Sequence, residues 1–305
     1  MARILELFLD NYGEDLNETH GLFGYTAGWT LLHEAADWRS ADAVDVFLKR
    51  GAEPNRFTAK GTQHHYTCRD FIFKTGGTWS DGYKDNTCSL SPLCLAIMGG
   101  HAGIVENLLA HGVNPDLPCR QCCGCRPIHI AAAYDREDIV RLLVEKYGVD
   151  PGTEDPSGRT ALHRAVALGR VRLVDMFRNT WRLDPNHTSK DGHTHLHDLV
   201  TYRRFLDVNT GKRSWRAVLR ERPYQPAVRD KVGAIYKLLR QAGVDVGRRN
   251  SVGETPKDCL TRWPVARCSS PLYCAVKEGL EAMEANCVLR EEVERGGSSS
   301  SSSSH

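Results

Sequence analysis

Between Gly158 and Asn186 the apolar positions fall into two short stripes separated by a glycine. Leu162, Ala165 and Val166 lie on one face of a first helix that Gly169 ends, and Leu173, Val174 and Phe177 lie on one face of a second. Thr160 stands where an N-cap would, and Asp184-Pro185-Asn186 forbids further helix, because proline lacks the amide donor and restricts the residue before it. The pattern predicts a helix–turn–helix pair in which neither helix can bury its stripe alone.

The chain repeats this pair. Aligned on His163, further copies open at Gly28-Trp29-Thr30-Leu31-Leu32-His33, Ser89-Leu90-Ser91-Pro92-Leu93-Cys94, Gly124-Cys125-Arg126-Pro127-Ile128-His129 and Gly192-His193-Thr194-His195-Leu196-His197, with a decayed copy from Gly253-Glu254-Thr255-Pro256. Positions 94, 129, 163 and 197 are 35, 34 and 34 residues apart. The steps from 33 to 94 and from 197 to 258 are both 61, one repeat plus an insertion. Closing turns recur as Gly51-Ala52-Glu53-Pro54-Asn55, Gly112-Val113-Asn114-Pro115-Asp116, Gly148-Val149-Asp150-Pro151 and Gly243-Val244-Asp245-Val246. A period of this length is the mark of a repeat architecture, in which each unit buries its face against the next.

These residues resemble the ankyrin repeat, with its G-x-T-P-L-H-x-A-A opening and G-A-D-x-N close, over about residues 28–55, 89–116, 124–151, 158–186 and 190–260. The resemblance implies an all-α fold, an ankyrin-repeat solenoid of stacked helix–turn–helix units with finger loops and two insertions. Cys94 replaces the motif histidine, Ala161 and His195 replace the proline, and Lys257-Asp258 replace Leu-His in the last copy. Two repeats carry one extra residue before the closing turn, as in Glu145-Lys146-Tyr147-Gly148, where a local adjustment is expected.

Residues 1–27 read as a partial N-terminal repeat or cap: Ile4, Leu5 and Phe8 with Gly13, Asp15 and Asn17 make a second helix and its turn, the pattern a longer upstream array would also leave. The ankyrin-repeat domain is expected over 28–260, interrupted at about 56–88 and 207–227. Region 261–295 is expected to supply a C-terminal capping helix, with Val276, Leu280, Met283 and Cys287 on one face, and the Ser-rich tail 296–305 to be disordered.

Composition narrows the function. Apolar residues at 41% and charged residues at 26% fit a folded chain, and a net charge of +2 gives no reason to expect nucleic acid or a membrane surface as partner. Glu6 and Asp10 interrupt the apolar opening, no window approaches the length of a membrane span, and eleven cysteines without an export signal suggest reduced thiols. The expected location is intracellular, cytoplasm or nucleus.

Three constellations carry candidate chemistry. His33-Glu34-Ala35-Ala36-Asp37 falls one residue short of a zinc-protease helix, and His33 already occupies the motif slot. His193, His195, His197 and Asp198 suggest a metallohydrolase, but the register makes His197 the motif histidine, whose role, as the resemblance implies, is hydrogen bonding to Thr194 and nearby backbone. Cys119, Cys122, Cys123 and Cys125 could offer zinc four thiolates, with His64, His65, Cys68 and Cys88 on the adjacent insertion, although a single CxxC is a weak zinc signal. Apart from zinc there, no cofactor is expected.

The resemblance also implies a concave surface lined by first helices and finger loops. Its variable slots hold Trp29, Asp37, Trp38, Met98, Tyr134, Arg159, Leu168, His193 and Tyr202, with the aromatic and arginine bias of binding hot spots. The expected function is a non-catalytic protein–protein interaction scaffold whose partner is a protein. The alternatives are a zinc-binding protein or zinc-dependent enzyme, and a substrate-recognition subunit of a larger complex, for which no adaptor motif is present.

Overall fold

The computed structural model describes residues 10, 15–19, 28–58, 89–119, 124–201, 226–261 (side chains from 229) and 273–285. The chain divides into two compact units, Met1–Ala165 and Val166–His305.

In the first unit the paired stripes become paired helices: α1 (Leu31–Asp37) with α2 (Ala41–Lys49), α3 (Pro92–Gly99) with α4 (Ala102–Ala110), and α5 (Pro127–Ala133) with α6 (Glu137–Arg141). First helices stack on first helices, α1 on α3 and α3 on α5, while α2 and α4 pack behind them. Helices this short are marginal in isolation, so burial holds them. Leu93, Leu95, Ile97, Ile128, Ile130 and Ile139 are fully enclosed between layers. α7 (Ala161–Ala167) contains the boundary between the units. In the second unit α8 (Val171–Asp175) packs on α10 (Pro226–Gln241), and α9 (His195–Thr201) on α11 (Pro256–Thr261). Helical residues 273–285 follow, burying Ala275, Val276, Leu280 and Met283; a Cβ on Gly279 would strike the Tyr236 ring, so glycine permits the close approach. Cys287 and most of the two insertions lie outside the described residues.

The extra residue in two repeats is absorbed as a π turn. α6 runs on as Leu142–Lys146 and α8 as Met176–Thr180, each with i→i+5 winding. The closing bonds count the difference. Ala52 N donates to Phe47 O and Val113 N to Leu108 O, five residues back, whereas Val149 N reaches Leu143 O and Leu183 N reaches Phe177 O, six back. One wider turn swallows the insertion and the closing turn keeps its place.

Those turns are pinned alike. Asp15, Asn114, Asp150, Asp184 and Asp245 each accept, through side-chain Oδ1, the amide two residues on. A second set of asparagines joins neighbours: Asn17 Oδ1 accepts from Glu53 N at 2.8 Å, Asn55 Oδ1 from Asn114 N at 3.3 Å and Asn186 Oδ1 from Asp245 N at 2.8 Å. Asn17 thus occupies the seat of a preceding repeat, and Asp10 pairs with Arg50 at 2.6 Å.

Candidate functional site

The motif histidines are consumed by the fold. Nδ1 of His33, His163 and His197 accepts the backbone amide of Thr30, Thr160 and Thr194, each at 3.2 Å, and the threonine hydroxyl donates to the same atom. His129 accepts from Arg126 N at 3.3 Å. On the far edge, Nε2 of His33 donates to Leu90 O, of His129 to Arg159 O and of His197 to Glu254 O, at 3.2, 3.0 and 2.9 Å. These partners require a neutral ring with its proton on Nε2, so the imidazole is a staple between repeats and has no lone pair left for a metal. In the decayed copy Asp258 takes the same post, its carboxylate accepting Thr255 N at 2.9 Å and the Thr255 hydroxyl at 2.8 Å.

Five backbone carbonyls among the described residues close the finger loops, and three of them, on Leu90, Arg159 and Glu254, also receive these staples. Thr58 N donates to Leu90 O, Cys119 N to Cys125 O, Asp155 N to Arg159 O, Ser189 N to His193 O and Asn250 N to Glu254 O, all at 2.8 to 2.9 Å. The first insertion therefore leaves from a finger, between Thr58 and Leu90.

This register explains half of the cysteine cluster. Cys94 stands where a histidine would serve Cys125 O, and the Cys119 thiol donates to that carbonyl instead, at 2.9 Å. The Cys125 thiol is fully buried and accepts from Arg164 Nη2 at 3.4 Å. Cys122 and Cys123 lie outside the described residues, as do His64, His65, Cys68 and Cys88. Among the described residues no three His, Cys, Asp or Glu side chains converge as a metal site requires. Arg164 also pairs with Asp155, both side chains being enclosed. Burial alone would raise the Asp155 carboxyl; the Arg164 charge and bonds from Ser157 and Arg159 outweigh it and hold the group below the ordinary range.

The three histidines of the fifth repeat separate by role. His197 is the staple. His195 is buried and donates from Nδ1 to Pro185 O at 2.9 Å. His193 is half-buried, stacked on His197 with centroids 5.3 Å apart, with Nδ1 3.6 Å from Asp198 Oδ1. Burial, only partly offset by the Pro185 carbonyl, lowers His195 from 6.5 to about 4, and burial lowers His197 as well. The fold favours the neutral rings, so their contribution is complete above pH 6.5 and is lost as pH falls toward 4. We expect the urea midpoint of the second unit to fall across that window, with His195 alone accounting for on the order of 3 kcal/mol. His195→Gln should flatten the decline. An equally steep decline in that variant would reject the assignment.

The partner-binding residues expected from the register divide differently. Trp38 is 55% exposed, and Asp37, Tyr134 and His193 are half-buried. Trp29, Met98, Arg159 and Leu168 are instead buried, which corrects their placement on an open surface. Trp29 and Arg159 share the slot that precedes the threonine; Arg159 lies inside its finger closure, where the preceding repeat covers it through the His129 staple. Met98 lies beneath the Arg136 guanidinium, which donates to its carbonyl at 2.7 Å. Tyr202 lies outside the described residues. Spacing alone did not disclose Arg39, which holds a left-handed turn position (φ 63°) where other repeats place Gly100 and Gly169. The signal was present as a glycine slot filled by arginine.

Stacked helix pairs, histidine staples and finger closures define an all-α repeat solenoid. Models of the ankyrin repeat match residues 27–59 as one copy and 60–155 as three. Among solved structures the chain is similar to the ankyrin repeat domain of human ASB11 (20% identity, TM-score 0.57, covering 91% of this chain and 93% of that one). It is also similar to the ankyrin repeat domain of Bcl-3, a member of the IkappaB protein family (18%, 0.53, 90% and 91%). A Plasmodium falciparum protein described as an E3 ubiquitin-protein ligase is 38% identical over 74 residues, which are 24% of this chain and 1% of that protein's length. The chain is an ankyrin-repeat protein. Ankyrin repeats are generally protein–protein interaction modules, and no helix among the described residues is long and apolar enough to cross a membrane.

Proposed function

We propose that this chain is a non-catalytic scaffold that binds a protein partner through the inner turns and finger loops of its repeats. The observation that carries this reading is the contrast between its histidines and its turns. The imidazoles that resemble catalytic or metal motifs are spent on stapling repeats together. The Trp38 indole, by contrast, stands open on the turn between α1 and α2, where it contributes little to the core. A large exposed aromatic beside a charged turn is the composition of a binding hot spot. Asp37 and Tyr134 occupy neighbouring or equivalent places in the first unit and complete the proposed surface there, and His193 is offered separately by the second unit; the zinc reading of the cysteine cluster gains no support from thiols already engaged by a carbonyl and a guanidinium.

Trp38→Ala should melt within about 1 kcal/mol of the wild type, as surface substitutions do. Affinity capture from native cells should recover a protein that the wild type retains and Trp38→Ala loses. A large fall in thermal stability with unchanged capture would place Trp38 in the fold and overturn this reading.

A further inference from the structure

In the first unit the turns joining paired helices read Asp37-Trp38-Arg39-Ser40, Met98-Gly99-Gly100-His101 and Ala133-Tyr134-Asp135-Arg136. The third place of each turn is left-handed, with φ of 63° at Arg39, 77° at Gly100 and 60° at Asp135. Glycine adopts that conformation freely and aspartate tolerates it, but arginine meets its own carbonyl there. Arg39 gains nothing visible in return. It is exposed and makes no hydrogen bond or ion pair among the described residues. Strain held by a side chain that the fold does not use points outward, to a ligand.

The neighbouring turns supply the rest. Repeat two has no side chain at Gly99 or Gly100, and a Cβ on either would strike the His101 ring or lie 2.6 Å from the Arg136 guanidinium. Both groups therefore lie over that bare turn. Arg136 spends one nitrogen on Met98 O, and no carboxylate pairs with it among the described residues. At His101 burial comes first in favouring the neutral ring, and the charge of Arg39 adds to it; Asp37 opposes through a backbone bond and its own charge, and Arg136 adds again. The turn thus carries two guanidiniums that no carboxylate pairs with among the described residues, beside Asp37 and Asp135, with the Trp38 indole on the same loop.

We propose that Trp38, Arg39, His101 and Arg136 form a docking surface for an acidic segment of a partner protein, carboxylates facing the two guanidiniums and an apolar side chain lying on the indole. The proposal rests on the scaffold reading and adds the chemistry of the partner. Two guanidiniums without a carboxylate partner among the described residues select anions and repel basic segments, and attraction across an exposed surface weakens with salt.

The test pans a library of randomised linear peptides against the whole chain, then measures the enriched peptides by fluorescence anisotropy on the wild type, Trp38→Ala, Arg39→Gly and Tyr134→Ala. The enriched peptides should be acidic, lose affinity with added salt, and bind Arg39→Gly and Trp38→Ala about tenfold or more weakly. Arg39→Gly should melt at or above the wild type, because glycine relieves the turn. That separates lost binding from lost fold. Neutral or basic enriched peptides overturn the proposal, as do acidic ones indifferent to both substitutions. If peptides bind and are weakened only by Tyr134→Ala, the scaffold reading stands and the acidic surface falls. If no bound peptide responds to any of the three, both fall.

Discussion

Asp155→Ala should cost the protein about 3–5 kcal/mol, the range seen when one member of a buried ion pair is removed. Its partner Arg164 is 5% exposed and Asp155 itself 1%. Asp155 serves two tasks at once. Its Oδ1 accepts Ser157 N at 2.8 Å, the Ser157 hydroxyl at 2.6 Å and Arg159 N at 3.0 Å, which shapes the finger, and its Oδ2 takes the guanidinium. The last repeat separates these tasks, because Asn250 shapes an equivalent finger by accepting Val252 N and Glu254 N without a charge. Asp155→Asn should therefore keep the finger and lose only the ion pair, a smaller loss than alanine. Equal urea midpoints for the two variants, or an alanine loss below about 1 kcal/mol, would refute this division of labour. Since the folded carboxyl is held below its usual range, its contribution persists above pH 3.8 and disappears only as pH falls through that lower value.

His129→Ala should cost about 2–4 kcal/mol. The ring is wholly buried, and its removal strands Arg126 N on one side and on the other takes from Arg159 O one of its two bonds, leaving that from Asp155 N. A buried group left without its bond costs about 1–3 kcal/mol, and the space the ring leaves adds to it. Because the second bond crosses to the next repeat, the loss acts on an interface between units of the solenoid, whose stability sums such nearest-neighbour terms. An unaltered melting curve would reject the staple. Cys94 shows what adaptation the junction permits: with no histidine at that slot, the Cys119 thiol serves the waiting carbonyl from the finger side.

How much of this was legible beforehand varies by element. The helix pairs were legible because each stripe must face a neighbour, and the spacing of Leu162, Val166, Leu173 and Phe177 states which side that is. Both π turns were legible as one residue too many before Gly148 and before the Asp184-Pro185 turn, though the count could not say whether a loop or a wider helical turn would absorb it. Burying Leu143 and Phe177 in register decided for the wider turn. The candidate surface was legible only as a set of slots: Trp38 is exposed, while Trp29, Met98 and Arg159 turn inward.

By itself, then, the sequence determined the period and the register, since these follow from local spacing; that the motif histidines staple one repeat to the next was decided by the tertiary structure. Only the tertiary structure decided which slots face water. It also decided that Asp155 meets Arg164 and that Arg39 stands strained and unpaired beside His101 and Arg136 among the described residues. The physical reason is range. Register is a property of neighbours along the chain, whereas the burial of Arg159 depends on a finger closed by Asp155 and on His129, 30 residues earlier, reaching its carbonyl.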